Sequence, residues 1–245
     1  MYDEPREIDT DNPRPMGRTR ADLEKIFTIA NETGVKTSSS WDDRGDPRID
    51  DASKRANYFE LTPMVSYVTC FGNAPQSNKS VSEAHRLDKT LLLYNNGMNR
   101  YAFGVATFKL GAKGNSQFMY DGPVYPNPGY QYYSTVACIM AKEGPIPTVN
   151  WEWVREGIDD YKYFYTLETL VKAASGRKDE KLAPLISSAE SVLNEARKTT
   201  MDTSAVNIVD AESTSTGYLK FKWSALDALR AKTVRSILEL LEKMR

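Results

Sequence analysis

Strands alternating with helices over the first 120 residues, then a tail with helical periodicity alone, predict an α/β fold with a parallel sheet and added C-terminal helices. Each expected strand is a nearly continuous apolar run ending in polar or aromatic residues, as a sheet covered by helices requires. At 245 residues, 40% hydrophobic and 27% charged, the chain is long enough to bury a core of that kind.

The elements follow in order. After the proline-rich DNPRPMG, RTRADLEKIFTIANETG places Leu23, Ile26, Phe27 and Ile29 near helical spacing, with Gly34 as the stop. VKTSSSW predicts a short strand ending at Trp41, and the polar stretch DDRGDPRIDDASKRANY a long loop. MVSYVTCF is a clearer strand, β-branched and aromatic, closed by Gly72, Asn73 and Pro75. SVSEAHRLDK predicts a short helix with Ser80 as its cap and Glu83 at capping-box spacing. TLLLYNNG is a third strand, closing on Asn95, Asn96 and Gly97. NRYAFGVATFKLGAKG predicts a helix ended by Gly111 and Gly114, and NSQFMYDG a fourth strand.

Beyond it PVYPNPGYQYY reads as a loop, and STVACIM is ambiguous, an extra strand pair being one reading. GPIPTVNWEWVREGIDDYKYFYTLETLVKAA starts a long helix after Pro147, with Trp151, Val154, Ile158, Tyr161, Tyr165 and Leu167 or Leu170 near one face. KLAPLISSAESVLNEARK and WSALDALRAKTVRSILELLEKMR are amphipathic, the second through Trp223, Leu226, Leu229, Val234, Ile237, Leu238 and Leu241. The polar TTMDTSAVNIVDAESTSTGYLKFK between them predicts a loop, and no internal repeat is present.

Charge narrows the function. Lys plus Arg total 32 and Asp plus Glu 33, a net charge of −1, so no broad attraction to nucleic acid or to an anionic membrane is expected. No apolar run approaches the roughly 20 residues that span a bilayer. The N-terminus lacks the basic-then-apolar pattern of a signal peptide; localisation is left open, with secretion or the periplasm expected if a signal peptide precedes this chain. Cys70 and Cys138 each sit in an apolar stretch and read as small buried thiols, with a disulfide as the alternative. One histidine, His85, and no cysteine–histidine cluster or calcium loop predict no metal and no cofactor.

A complete (β/α)8 barrel needs about 250 residues and eight strands. Only four strands are expected up to residue 120, yet the chain opens on MYDEPRE, an acidic cluster of the kind found at the exposed end of a barrel strand. A chain running from the end of the fourth strand through the eighth accounts for both facts. The expectation is a partial TIM (β/α)8 barrel, the C-terminal half with about strands 4 to 8, over residues 1–175, and a helical extension over 176–245. The missing N-terminal half of the barrel is then the expected partner, and the isolated chain is expected to be poorly active.

Three segments also carry a resemblance: YDEP at Tyr2 to Pro5, KLGAKGNSQFMYD, and above all GPIPTVNWEWVREGIDDYKYFYTLE. They resemble the second half of the catalytic domain of glycoside hydrolase family 123 and its relatives in domain of unknown function 4091. The last segment resembles the family pattern W-E-x-x-R-E-G-I-D-D-Y through Trp151, Glu152, Arg155, Glu156, Gly157, Ile158, Asp159, Asp160 and Tyr161. The likeness runs from residue 1 to about residue 172. It implies a TIM-barrel β-N-acetylgalactosaminidase, retaining and substrate-assisted, with an adjacent Asp and Glu at a strand end. Asp3 and Glu4 occupy those positions.

In that mechanism the substrate's acetamido oxygen attacks the anomeric carbon, so no carboxylate nucleophile is needed. The resemblance implies that Glu4 protonates the leaving oxygen, and that Asp3 stays ionised and accepts the acetamido N–H. On pattern alone the pair also reads as a solvated terminus. Trp41, Tyr94 and Tyr120 fall where strands would emerge on the catalytic face, suited either to stacking on sugar C–H faces or to rim packing. Asn95, Asn96 and Asp121 are the candidate hydroxyl partners. Glu156, Asp159, Asp160 and Arg155 are expected to tie their helix to its surroundings rather than to meet substrate, and His85 to lie on a helix surface. A carbohydrate is the expected ligand; a non-catalytic carbohydrate-binding or structural role is the alternative.

Overall fold

The computed structural model describes residues 20–41, 59–71, 79–94, 96–116, 121–122, 138–199 and 223–245. The chain divides into two compact units, Met1–Asn96 with Leu110–Phe118, and Gly97–Lys109 with Met119–Arg245.

In the first unit, helix α1 (Arg20–Glu32) buries Leu23, Phe27 and Ala30, an i, i+4, i+7 stripe. Ile29 stands about 200° from Phe27 around the helix and is exposed. The helix stops at Gly34, whose φ of 73° lets its N–H reach the Asn31 carbonyl and the Val35 N–H reach that of Ala30. This Schellman pairing satisfies carbonyls that the helix end would leave open.

Four strands follow in one parallel sheet: β1 (Ser38–Trp41), β2 (Tyr67–Phe71), β3 (Thr90–Tyr94) and β4 (Gly114–Ser116), in the order β1-β2-β3-β4. Register aligns Val68 with Leu91 and Cys70 with Leu93. These four side chains form one buried face, closed by Leu23 and Phe27 of α1 and by Val81 and Ala84 of α2 (Lys79–Arg86). Thr69, on the opposite face of β2, is also buried and shares a 2.8 Å hydrogen bond with Ser38. Along β3 burial alternates, so Thr90, Leu92 and Tyr94 are only half covered. Ser80, expected as a cap, lies buried inside α2; the helix begins before it. His85 is exposed on that helix, as expected, and its Nε2 lies 2.8 Å from the Leu110 carbonyl oxygen.

In the second unit β6 (Cys138–Ala141) and β7 (Gly144–Pro147) form an antiparallel hairpin, with β5 (Asp121–Gly122) parallel to β6. The strand expected over 115–122 is thus two: β4 pairs with β3, whereas Asp121 and Gly122 pair with Cys138 and Ile139 of another sheet. Cys70 and Cys138 are both buried, and neither is in a disulfide.

A π-helical turn, Ala102–Ala106, runs into α3 (Thr107–Lys109). Asn99 Oδ1 accepts the Ala102 N–H at 2.8 Å, and Thr107 Oγ1 donates to the Ala102 carbonyl at 2.7 Å, spanning the widened turn. Helices α4 (Val149–Gly176), α5 (Ala183–Lys198) and α6 (Trp223–Met244) complete the unit. Phe108, Phe164, Leu167, Leu193, Leu226 and Leu240 meet in one core, with the Phe108 and Phe164 ring centroids 5.2 Å apart.

The face of α4 differs from expectation. Val154 and Leu167 are buried, but Ile158 and Tyr165 are exposed, and the stripe runs instead through Asn150, Gly157, Asp160, Phe164, Val171 and Ala174. Glycine and an ion-paired aspartate carry no apolar signal, so the pattern drew the stripe toward the aromatic neighbours.

The two helix ends of the first unit give a paired prediction. α2 ends on the same pattern as α1, with the Lys89 N–H on the Ala84 carbonyl and the Asp88 N–H on that of His85, but its left-handed residue is Asp88, at φ 51°. A Cβ in that conformation costs on the order of 1 kcal/mol. Asp88→Gly is therefore expected to raise unfolding free energy by up to about 1 kcal/mol, and Gly34→Ala to lower it by about as much, both read from urea unfolding.

Candidate functional site

All strands of a parallel sheet end at one edge, and open α/β sheets and barrels place ligands there because loops rather than helices cover it. In the first unit that edge carries Trp41, Phe71, Tyr94 and Ser116, each the last residue of its strand. Phe71, Tyr94 and Ser116 stand in register across three strands, and Trp41 is paired one residue back, with Cys70. Tyr94 is half-buried. Its carbonyl accepts from Asn96 Nδ2 at 3.1 Å, and Asn96 Oδ1 is buried with no hydrogen-bond partner. Among the side chains described at this edge are Tyr94 and the held amide of Asn96.

Of the residues singled out from the sequence, Trp41, Tyr94 and Asn96 lie along this edge. Asp121 opens β5 in the second unit's sheet. Asp3, Glu4, Asn95 and Tyr120 lie outside the described residues. Among the described residues no group of three or more His, Cys, Asp or Glu side chains is placed to hold a metal ion, and no helix is long and apolar enough to cross a membrane.

The second unit contains a polar cluster built on the segment Arg155–Asp160. Asp160, 2% exposed, accepts from Arg100 Nε at 2.6 Å and Nη2 at 3.2 Å, and from Arg230 Nε. Arg230 also donates to Glu156 Oε2 at 2.6 Å and to the Glu156 carbonyl at 2.8 Å, while Arg100 Nη1 donates to Asp227 Oδ1 at 2.6 Å. Burial opposes the charge on both guanidiniums. For Arg100, hydrogen bonds and Coulombic attraction to Asp160 and Asp227 outweigh it; for Arg230, hydrogen bonds to Asp160 and Glu156 with the attraction of Asp160 outweigh both burial and the repulsion of Arg100, and both are held above the usual guanidinium range.

Arg100, Asp227 and Arg230 were not singled out from the sequence. Each is one ordinary charge in its stretch, and only the convergence of the two arginines on Asp160, with Asp227 on Arg100, marks them. Arginines that never lose their protons do no acid–base chemistry, and Asp160, buried and shared by two guanidiniums, has little room for substrate. The cluster is a clamp. It joins α4, α6 and the segment before the π-turn at a crossing where backbones touch: a Cβ on Gly157 would lie 2.6 Å from the Arg100 carbonyl oxygen, and one on Gly104 2.9 Å from that of Gly157. Arg155 and Asp159 face outward, paired with Glu152 and Lys162.

The two adjacent aspartates should therefore behave differently. Asp160→Ala removes the shared carboxylate from a buried Arg100 and a part-buried Arg230 and is expected to cost about 3 kcal/mol in urea unfolding, against at most about 0.5 kcal/mol for Asp159→Ala. Gly157→Ala should cost about 1–3 kcal/mol despite alanine's better helix propensity. A guanidinium raised above its unfolded value contributes stability below that value and loses it only as pH rises past the folded one. The stability difference between the wild type and Arg100→Met should therefore be the same at about pH 7 and about pH 10.

No protein-family model matches the chain, and no curated protein or solved structure matches it.

Proposed function

We propose that this chain is part of a glycoside hydrolase that cleaves β-linked 2-acetamido sugars, such as N-acetylgalactosaminides, by a retaining, substrate-assisted mechanism, and that its parallel sheet belongs to a (β/α)8 barrel. The observation that carries the reading is the joint presence of YDEP and of the segment Trp151–Tyr161, the second long enough to be specific. The placement of Trp41 and Tyr94 as the last residues of parallel strands supports it, since ligands of such sheets bind at that edge and the half-buried Tyr94 ring suits sugar C–H surfaces.

The chemistry assigns distinct tasks to the acidic pair. The acetamido oxygen attacks the anomeric carbon as Glu4 delivers its proton to the leaving glycosidic oxygen, giving an oxazolinium ion and the free alcohol. Asp3, ionised, holds the acetamido N–H and offsets the positive charge that develops on the ring. Glu4, now a carboxylate, takes a proton from the water that opens the oxazolinium, which returns the original anomeric configuration and the protonated acid. Adjacent residues on an extended backbone point to opposite sides, so the two carboxyl groups can serve different atoms of one sugar.

The test is hydrolysis of aryl 2-acetamido-2-deoxy-β-D-galactoside and its gluco counterpart, by this chain and, where the reading frame continues upstream of Met1, by the longer protein. Glu4→Gln is expected to lower kcat/KM by about 10²–10⁴ and Asp3→Asn by about 10²–10³. Sugar binding without hydrolysis by the folded protein would favour a non-catalytic carbohydrate-binding role. Neither binding nor hydrolysis, on these or on sugars lacking the acetamido group, would overturn both readings.

A further inference from the structure

Helix α6 carries more apolar surface than its own unit uses. Leu226, Leu229, Thr233, Ser236, Ile237 and Leu240 face the core. On the opposite side Ala231, Val234, Leu238 and Leu241 follow one another at intervals of three, four and three residues, the spacing of a coiled-coil seam. Leu238 is 61% exposed and Leu241 42%. Val234 is half-buried, and among the described residues the stripe has no other use; single exposed leucines are common but a repeated seam is not.

The charges beside the seam are arranged by sign. Helical periodicity sets Ala231 and Leu238 at the centre, Val234 and Leu241 along one flank, and Arg235 and Glu242, seven residues apart, along the other, with Glu239 beyond them. Arg235, Glu239 and Glu242 make no ion pair among the described residues, whereas Arg230 and Lys232 are committed to Glu156, Asp160 and Glu195. Lys243 projects toward the other side of the helix. One end of the flank is therefore cationic and the other anionic, and both ends are free.

From this we infer that α6 is a homodimerisation surface, pairing antiparallel with α6 of a second copy about a two-fold axis near Leu238. The two-fold sets each Arg235 against the Glu242 of the other copy and stacks the two apolar seams between them. A parallel pair would turn this flank toward the Val234 and Leu241 side of the other copy, leaving Arg235 and Glu242 without partners across the seam. The seam is only about 15 Å long, so the interface is small and the association weak.

The experiment is sedimentation velocity on the full chain between about 1 μM and about 1 mM, the range that a small interface demands. Wild type is expected to shift from monomer to dimer across that range. Leu238→Glu and Arg235→Glu should each weaken self-association about tenfold or more, with unchanged thermal unfolding because both side chains are outside the core. The exchange Arg235→Glu with Glu242→Arg should restore it to within about threefold. A chain that stays monomeric throughout, a dimer indifferent to Leu238→Glu, or a charge exchange that fails to restore pairing would each overturn the inference.

Discussion

A single carboxylate, that of Asp160, is almost fully withdrawn from water and shared by two guanidinium groups, and the second unit is organised about it. Arg100 and Arg230 come from segments far apart in sequence, and the other carboxylates of the cluster, Glu156 and Asp227, engage the donors that Asp160 leaves over. A buried ion cluster adds little stability over an apolar core of the same volume. Its effect is to penalise any arrangement that leaves one member unpaired. Three helical segments are thereby held to one register, which plain apolar packing enforces less strictly.

That constraint explains the composition of the crossing. Guanidiniums can reach Asp160 only if the helix axes approach closely, and Gly104 and Gly157 supply the room. The π-turn at Ala102–Ala106 is the local adjustment that carries the backbone past α4, with Asn99 and Thr107 taking up the polar groups it displaces. The segment Arg155–Asp160 thus has a structural account complete in itself: Gly157 for contact, Glu156 and Asp160 for the clamp, Arg155 and Asp159 for the solvated face.

The first unit is organised differently. Its sheet is held by parallel pairing and by one apolar face, and the polar pair Ser38 and Thr69 satisfies itself across the other. The consequence for function is geometric: parallel strands deliver Trp41, Tyr94 and Asn96 to a common edge although more than 50 residues separate the first from the last. Residues scattered along the chain are thereby brought to the edge at which open α/β sheets bind their ligands.

Elements that depend on local chemistry were legible from the residues. Gly34 stops α1 because only glycine takes a positive φ without strain, β2 follows from its β-branched run, and α4 from a long stretch without breakers. What depended on partners was not. The phase of α4 was misjudged at Ile158 and Tyr165 because its buried stripe is chosen by close approach and by charge, and hydrophobicity reports neither. Ser80 was misplaced because a serine before an apolar stretch reads as a cap whether or not the helix has already begun. The strand at 115–122 divides because β5 finds its partner in β6, which adjacency in sequence does not reveal. By itself, then, the sequence determined where backbone conformation is locally dictated; pairing, helix phase and the convergence of Arg100 and Arg230 on Asp160 were decided only in the tertiary structure, because their energies exist only between segments that folding brings together.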